Sequence, residues 1–390
     1  MLEWLIIGGG IHGTHLSNVL VNEAGVARGR VRVLDPYDEP LARWNVCTEN
    51  TGMAYLRSSV VHHLALHPFD LKHFAERIGA RRPFAHPYKR PSLALFSKHC
   101  RRVIRRGALN EFRLNGTATA LQACESAGFT VETCAGELKA RRVALAIGSS
   151  GQLQWPDWAT RLKRRGAELY HLFEPGFDRQ TLASSAHVAV IGGGISAAQV
   201  TLALLEDGIG DVTLIRRHPR REHQLDSDPG WIGPKHQEPF RAIDDWDRRR
   251  RVVSASRHTG SMPPALARRL AHAHRDGRAT VVQKSISRAD LSKEGLITLF
   301  DGADRAIVSV DRVILSTGFS SRRPGGGWVS KAVRDLGLQC ATCGYPIVDE
   351  SLQWHPGLFV TGPLAELEIG PVSRNIVGAR QAAKRIAATA

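Results

Sequence analysis

One glycine motif occurs twice in this chain. LIIGGGIHG, from Leu5 to Gly13, returns as VAVIGGGIS, from Val188 to Ser196. Each copy is a short run of strand-forming residues, then clustered glycines, then a helix-like stretch. A repeat so widely spaced means two domains of one type, not a short-period solenoid. The halves also close alike. RRVALAIGSSG (Arg141 to Gly151) and DRVILSTGFSS (Asp311 to Ser321) are strands ending in small residues, among them Gly148 and Gly318. In a doubly wound sheet such a strand brings backbone up to a bound cofactor before the chain leaves the domain. The expected fold is α/β, with two Rossmann-like dinucleotide-binding domains, the second inserted in the first. The expected limits are 1–180 for the first part of the outer domain, 184–318 for the insert, and 319–390 for a return segment that completes the outer domain. A length of 390 residues suits two or three domains.

Between these landmarks the pattern is readable in outline. Glu111 to Ala144 alternates apolar and polar residues and reads as a β-meander. Ala197 to Leu205 and Pro264 to Ala273 read as helices, Gly357 to Thr361 as a strand, and Ser373 to Ala387 as a last helix. The stretch from His218 to Pro239, rich in Asp, Pro, Gly and His, reads as a loop long enough to be functional.

Gly8, Gly10 and Gly13 form G-x-G-x-x-G after a strand and at the opening of a helix. The first glycine permits the turn, the second lets backbone approach a pyrophosphate, and the third lets helix pack on strand. The helix N-terminus then faces the phosphates with free N–H groups. The next strand, RVRVLD, ends in Asp35, placed to bond an adenosine ribose. Gly192, Gly194 and Ala197 form the second fingerprint, G-x-G-x-x-A, with Ser196 inside it. Its next strand ends in Arg216 and Arg217 where the first has Asp35. An acid selects a free 2′-hydroxyl, and arginines accommodate a 2′-phosphate. The first site therefore reads as FAD and the second as NADPH; a solvated strand end is the alternative for the two arginines.

Composition bounds the rest. Hydrophobic residues are 43% and charged residues 23%, a globular balance. No apolar run approaches the roughly 18 residues of a membrane span, and the chain enters a buried strand at once, so no membrane and a cytoplasmic location are expected. The formal charge is +16, but the basic residues lie in short scattered clusters, which disfavours nucleic acid as a partner. Cys340-Ala341-Thr342-Cys343 reads as a structural or incidental pair, with a redox pair or half a zinc site as alternatives, and no metal is expected. His62, His63 and His67 could line a cofactor cavity, but none carries a catalytic role. Hydrolase chemistry has no support, since no nucleophile elbow is present.

GGGISAAQ resembles the G-G-G-x-S-A-A-E of flavin-dependent N-hydroxylating monooxygenases, the lysine and ornithine hydroxylases. Three further stretches agree in order: Arg43 to Phe69, with Trp44 near the flavin and Tyr55-Leu56-Arg57 on the family's Phe-Leu-Lys; Leu169 to Asp178, a His-containing linker; and ILSTGF on A-T-G-Y. The chain departs from the family at Arg57, where the family has Lys. It departs again at Thr51-Gly52, where the family has Met-Gln, and in Gln224 to Pro239, where the family's substrate ligands find no match. Thr361 to Arg374 lacks the Gly-Asp of disulfide reductases. The resemblance implies that NADPH reduces FAD and that a C4a-hydroperoxyflavin then passes one oxygen to a nucleophilic nitrogen of a small molecule, an amine or amino acid. Trp44 and Arg57 would flank the isoalloxazine, with Arg57 catalytic. Gly362 joins the cofactor site, as do Gly370 and Pro371, which would face the flavin's pyrimidine edge from the start of the last helix. Two alternatives stand beside this: a reductase passing electrons to a quinone, disulfide or protein, and a cofactor-binding protein without turnover.

Overall fold

The computed structural model describes residues 1–124, 127–182 and 186–390. The expected domain start at residue 184 lies outside these. The strands of the two large sheets, in chain order, begin with β1 (Leu2–Ile7), β2 (Val31–Asp35), β3 (Arg113–Asn115), β4 (Ala118–Ala123), β5 (Phe129–Thr133) and β6 (Gly136–Leu145). Then come β7 (Leu169–His171), β8 (His187–Ile191), β9 (Asp211–Arg216), β10 (Thr280–Gln283) and β11 (Arg312–Leu315). The last two are β12 (Gln353–His355) and β13 (Leu358–Val360). The helices that matter below are α1 (Ile11–Asn22), α2 (Ala42–Thr51), α3 (Ile195–Glu206), α4 (Pro234–Arg241) and α5 (Ile376–Ala387).

The outer sheet runs β12-β13-β6-β1-β2-β3, and β5 and β4 extend from β6 as the expected antiparallel meander. β1 lies parallel to both β2 and β6. Its LEWLII sequence suits a strand buried on both faces. The inner sheet runs β10-β9-β8-β11-β7, parallel throughout. Every strand of the inner sheet lies in sequence between β6 and β12, so the second unit interrupts the first. The return segment supplies β12 and β13 to the outer sheet. β7 pairs with β11, so the inner sheet already starts at Leu169, ahead of the limit of 180 expected for the outer domain.

Both sheets turn at their fingerprint. In each, the strand order reverses beside the strand that leads into the glycines, and ligands bind outside the carboxyl ends of strands at such a point. The outer core joins β1, β2 and β6 to α1 and α5. α1 is buried on nearly every side because the sheet and α5 enclose it. The last helix begins at Ile376, after a short turn of 3-10 type over Pro371–Arg374, three residues later than the sequence pattern suggested. His218 to Pro239 is less of a loop than expected, for α4 starts within it. Pro at a first helical position, here Pro234 after Gly233, is favourable because its missing N–H is unused there. Trp231 and Phe240 from this stretch are buried in the outer core.

Candidate cofactor and active site

A cavity of about 1250 Å³ opens along the carboxyl ends of the outer strands. Gly8, Gly10, Ile11 and His12 form its floor, and Asp35, Pro36, Tyr37 and Gly116 to Ala118 one end. Trp44, Cys47, Met53, Leu56 and Arg57 line it elsewhere, as do Gly148 and its neighbours, Arg322 to Gly326, and Arg374 to Ile376. The glycines have distinct reasons. Gly8 has φ +112°, and a Cβ there would collide with the Ala146 carbonyl. A Cβ on Gly13 would collide with the Gly8 carbonyl. Gly10 has ordinary extended backbone, and a Cβ there meets no protein atom within 4 Å. Its bareness serves the cavity rather than the fold. Asp35 accepts hydrogen bonds from the backbone N–H of Gly9 at 2.5 Å and of Tyr37 at 3.1 Å, which fixes the carboxylate at the cavity's end.

The lining fits FAD on its own chemistry. The α1 N-terminus offers N–H groups beside Gly10. Three lining residues carry shielded polar atoms with no partner among the described residues: His12 Nε2, Trp44 Nε1 and Gln152 Oε1. Buried polar atoms of this kind are rarely left unpaired without a reason. His12 Nδ1 bonds Thr361 Oγ1 at 2.7 Å, and burial lowers the imidazole pKa to about 4, so the ring is neutral near pH 7. Burial also raises the Cys47 thiol, against the pull of Arg43.

The second turn repeats the first in backbone. The Gly192 N–H bonds the Ile215 carbonyl at 2.9 Å, as that of Gly8 bonds Leu34 at 2.8 Å. Arg216 then stands in register with Asp35, and its Nε is shielded without a partner; Arg217 is exposed. Ala197 is buried under Gly192, and Ser196 opens α3 beside it. Gly192, Gly194, Ser196, Ala197, Arg216 and Arg217 therefore lie together, outside the lining of the large cavity.

Residues 96–262 match the sequence family described as L-lysine 6-monooxygenase/L-ornithine 5-monooxygenase, and residues 5–150 match the FAD-NAD(P)-binding family. The chain is related to the flavin-dependent N-hydroxylating monooxygenases. It is a flavin-dependent oxidoreductase, and the expectation of FAD and NADPH agrees with both matches. Among solved structures it is similar to the ornithine hydroxylase of Pseudomonas aeruginosa, at 17% identity and TM-score 0.75 over 100% of this chain and 98% of that one. It is similar also to the FAD-bound cadaverine monooxygenase of desferrioxamine biosynthesis from Erwinia amylovora, at 16% identity and TM-score 0.76 over 99% and 94%. A third is the ornithine N-hydroxylase of Kutzneria sp. 744 with reduced FAD, NADP⁺ and L-ornithine, at 15% identity and TM-score 0.75 over 100% and 98%. At such identities the likeness shows the fold. No curated protein matches the chain in sequence.

For a relative of these monooxygenases the placement of the remaining residues is informative. Trp44 and Arg57 both line the cavity, on and just beyond α2. Arg57 does more than face it. Its Nη2 donates to the carbonyls of His223 at 2.7 Å and Leu225 at 2.8 Å and to Ser261 Oγ at 2.8 Å, and its Nε to Gln224 O at 3.3 Å. Nη1 lies 3.7 Å from the Asp226 carboxylate. Gly52, where the family has Gln, ends α2 at φ +64°, and a Cβ there would collide with Ala203 of α3. The departure follows from the packing of α2 on the inserted unit.

Gly370 and Pro371 lie outside the cavity lining. Both are buried, and Gly370 lies under Trp231, whose ring is 3.1 Å from the place of a Cβ. The cavity wall there is lined by Arg374, Asn375 and Ile376, at the start of the last helix. Gly362 is buried outside the lining, where a Cβ would lie 3.7 Å from the His12 ring, and the Gly318 carbonyl accepts from His171 at 3.2 Å. The sequence reading missed His12, Arg374 and the Arg322 to Gly326 edge. His12 sat inside the fingerprint itself, and two arginines before three glycines were a visible signal.

Among the described residues no group of His, Cys, Asp or Glu is arranged to hold a metal, and no helix is long and apolar enough to cross a membrane. Cys340 and Cys343 are both free and half-buried, and Gly344, next to Cys343, touches the cavity. Burial raises the Cys340 thiol, with Arg323 opposing.

Proposed function

We propose that the chain hydroxylates a nucleophilic nitrogen of a small amine or amino acid, using FAD, NADPH and dioxygen by the C4a-hydroperoxyflavin course that the resemblance implies. The observation that carries this is one cavity running from Asp35 past the bare Gly10 to Trp44 and Arg57, in a chain matching the lysine and ornithine monooxygenase family. Bound FAD supplies the activation of oxygen, which side chains alone cannot.

The protein's own part is positioning, charge and exclusion of water. Gly8, Gly10 and Gly13 let the α1 N-terminus face the pyrophosphate, and Asp35 takes the adenosine ribose. Gly148 continues that wall. Met53 and Leu56, with the Trp44 ring, make the far end apolar, which keeps water from the reacting centre. Arg57 is the cation proposed to hold an oxygen or a substrate carboxylate there. At the second turn Gly192, Gly194, Ser196 and Ala197 would take the NADPH pyrophosphate, and Arg216 and Arg217 the 2′-phosphate.

The named neighbours act on ornithine and cadaverine, which sets the substrate panel. FAD-loaded protein is given NADPH in air with amino acids and diamines, and hydroxylamine, peroxide and NADPH consumed are measured together. One substrate should raise NADPH consumption with hydroxylamine matching it, and Arg57→Ala should shift the balance to peroxide. NADPH consumption yielding only peroxide across the panel would remove the hydroxylase reading.

A further inference from the structure

The two glycine turns differ in what lies on them. A Cβ on Gly10 meets no protein atom within 4 Å. Its counterpart Gly194 is covered: a Cβ there would lie 3.3 Å from the Cα of Gly260. The middle glycine is crowded in both turns, a Cβ on Gly9 lying 3.1 Å from the Asp35 side chain and one on Gly193 2.8 Å from Cε1 of His218. His218 also packs on Gly260, whose φ is +70° and whose Cβ would lie 2.9 Å from Nε2. The face that backbone must offer to a pyrophosphate is thus open in the first turn and covered in the second.

The cover is a built strap. Ser261 and Met262 pair in parallel with Arg221 and Glu222. The N–H of His258 bonds the Asp226 carbonyl at 2.8 Å, and the N–H of His223 bonds the Met262 carbonyl at 3.0 Å. The rings of His223 and His258 stack with centroids 3.7 Å apart, and Arg257 lies 3.3 Å from the Asp226 carboxylate. Arg57, from the flavin-side cavity, ties the two segments together, through three carbonyls of residues 223–225 and through Ser261 Oγ.

We infer that the segment Arg257–Met262 is a strap closed over the pyrophosphate seat of the nicotinamide cofactor, and that Arg57 is the positioning residue that holds it closed. The inference rests on the second turn being the NADPH site. Close approach of backbone to pyrophosphate is what the second glycine of such a fingerprint provides, and Gly260 occupies that approach. NADPH therefore binds only the fraction of molecules with the strap displaced, and the apparent Kd is the intrinsic one divided by that fraction. Since Arg57 also lines the large cavity, an acceptor entering that cavity competes for the same N–H groups. Occupancy of one site then biases access to the other.

The test uses the full FAD-loaded chain, with NADP⁺ titrated by its effect on flavin absorbance and amide hydrogen exchange followed in peptides covering 219–226 and 257–262. Ser261→Ala removes one tie and Arg57→Met removes the anchor; if Arg57→Met fails to fold, Ser261→Ala still decides. NADP⁺ should speed exchange in 257–262 of the wild type. Ser261→Ala should bind NADP⁺ about three- to tenfold tighter, as expected for the loss of one partly exposed side-chain hydrogen bond. NADP⁺ binding that leaves exchange in 257–262 unchanged or slower, or variants that bind NADP⁺ no tighter than wild type, overturns the strap while leaving the NADPH site. No NADP⁺ binding by any of the three proteins at full FAD content overturns the NADPH site, and the strap with it.

Discussion

Replacing Gly10 by Val should remove FAD without removing the fold. Gly10 is the N-cap of α1 with φ −72° and ψ −167°, extended backbone that Val adopts readily. A Cβ there has no protein atom within 4 Å, so the fold loses only the N-cap preference for Gly, about 1 kcal/mol. The same Cβ points where the pyrophosphate must approach, and the displacement should weaken FAD at least about a hundredfold, or about 2.7 kcal/mol. Gly13→Ala is the contrast, since its Cβ would collide with the Gly8 carbonyl and break the turn itself. The assay is flavin content per chain together with thermal unfolding of the FAD-free proteins. Wild type should gain about 2.7 kcal/mol of stability from FAD at a hundred times its Kd, and Gly10→Val no more than about 0.4 kcal/mol at that concentration. FAD-free Gly10→Val should melt close to FAD-free wild type, with Gly13→Ala well below both. A Gly10→Val protein that keeps its flavin, or that loses stability as severely as Gly13→Ala, would refute the assignment of this turn.

Arg216→Ala with Arg217→Ala should lower the preference for NADPH over NADH about ten- to a hundredfold in kcat/KM, because charge-assisted contacts to a 2′-phosphate are lost; an unchanged ratio would reassign the strand end. Burial lowers the pKa of His15 to about 3, His62 to about 4 and His63 to about 3, so the fold holds them neutral while the unfolded chain protonates them below about 6.5. Stability from this source is complete above pH 6.5 and falls as pH drops toward 4, by about 2 kcal/mol for each histidine at pH 5. Denaturant midpoints between pH 7 and pH 5 check the sign, and greater stability at pH 5 would contradict it. Cys340→Ser with Cys343→Ser should leave NADPH-dependent flavin reduction and turnover within a fewfold of wild type. Lost turnover in a folded, FAD-loaded double variant would favour the reductase alternative.

Much of the fold was legible because its signals are local. Strand, glycine turn and helix follow one another within a dozen residues at Leu5 and again at Val188, and the meander alternates visibly. What was not legible came from contacts between distant segments. Gly370 packs under Trp231, more than a hundred residues away in sequence, and the cavity is lined instead by Arg374, Asn375 and Ile376. α4 was hidden because Gly233, Pro234 and Pro239 read as breakers, although Pro234 is a good first residue of a helix. β7 is three residues long and has no period to read. Arg57 was recognisable as a cation for the cavity it lines, but its partners at 223–225 and Ser261 belong to segments that only the tertiary fold brings to it.

The central claim is that oxygen from dioxygen ends on a substrate nitrogen, and isotopic labelling tests it most directly. FAD-loaded enzyme is run with NADPH, the best amine of the panel and isotopically labelled dioxygen, and the product is examined by mass spectrometry. The account predicts one labelled oxygen atom per product, on nitrogen, with one NADPH consumed for each. An unlabelled product, or oxidation of NADPH coupled to reduction of a quinone or disulfide with no oxygenated amine, would contradict it.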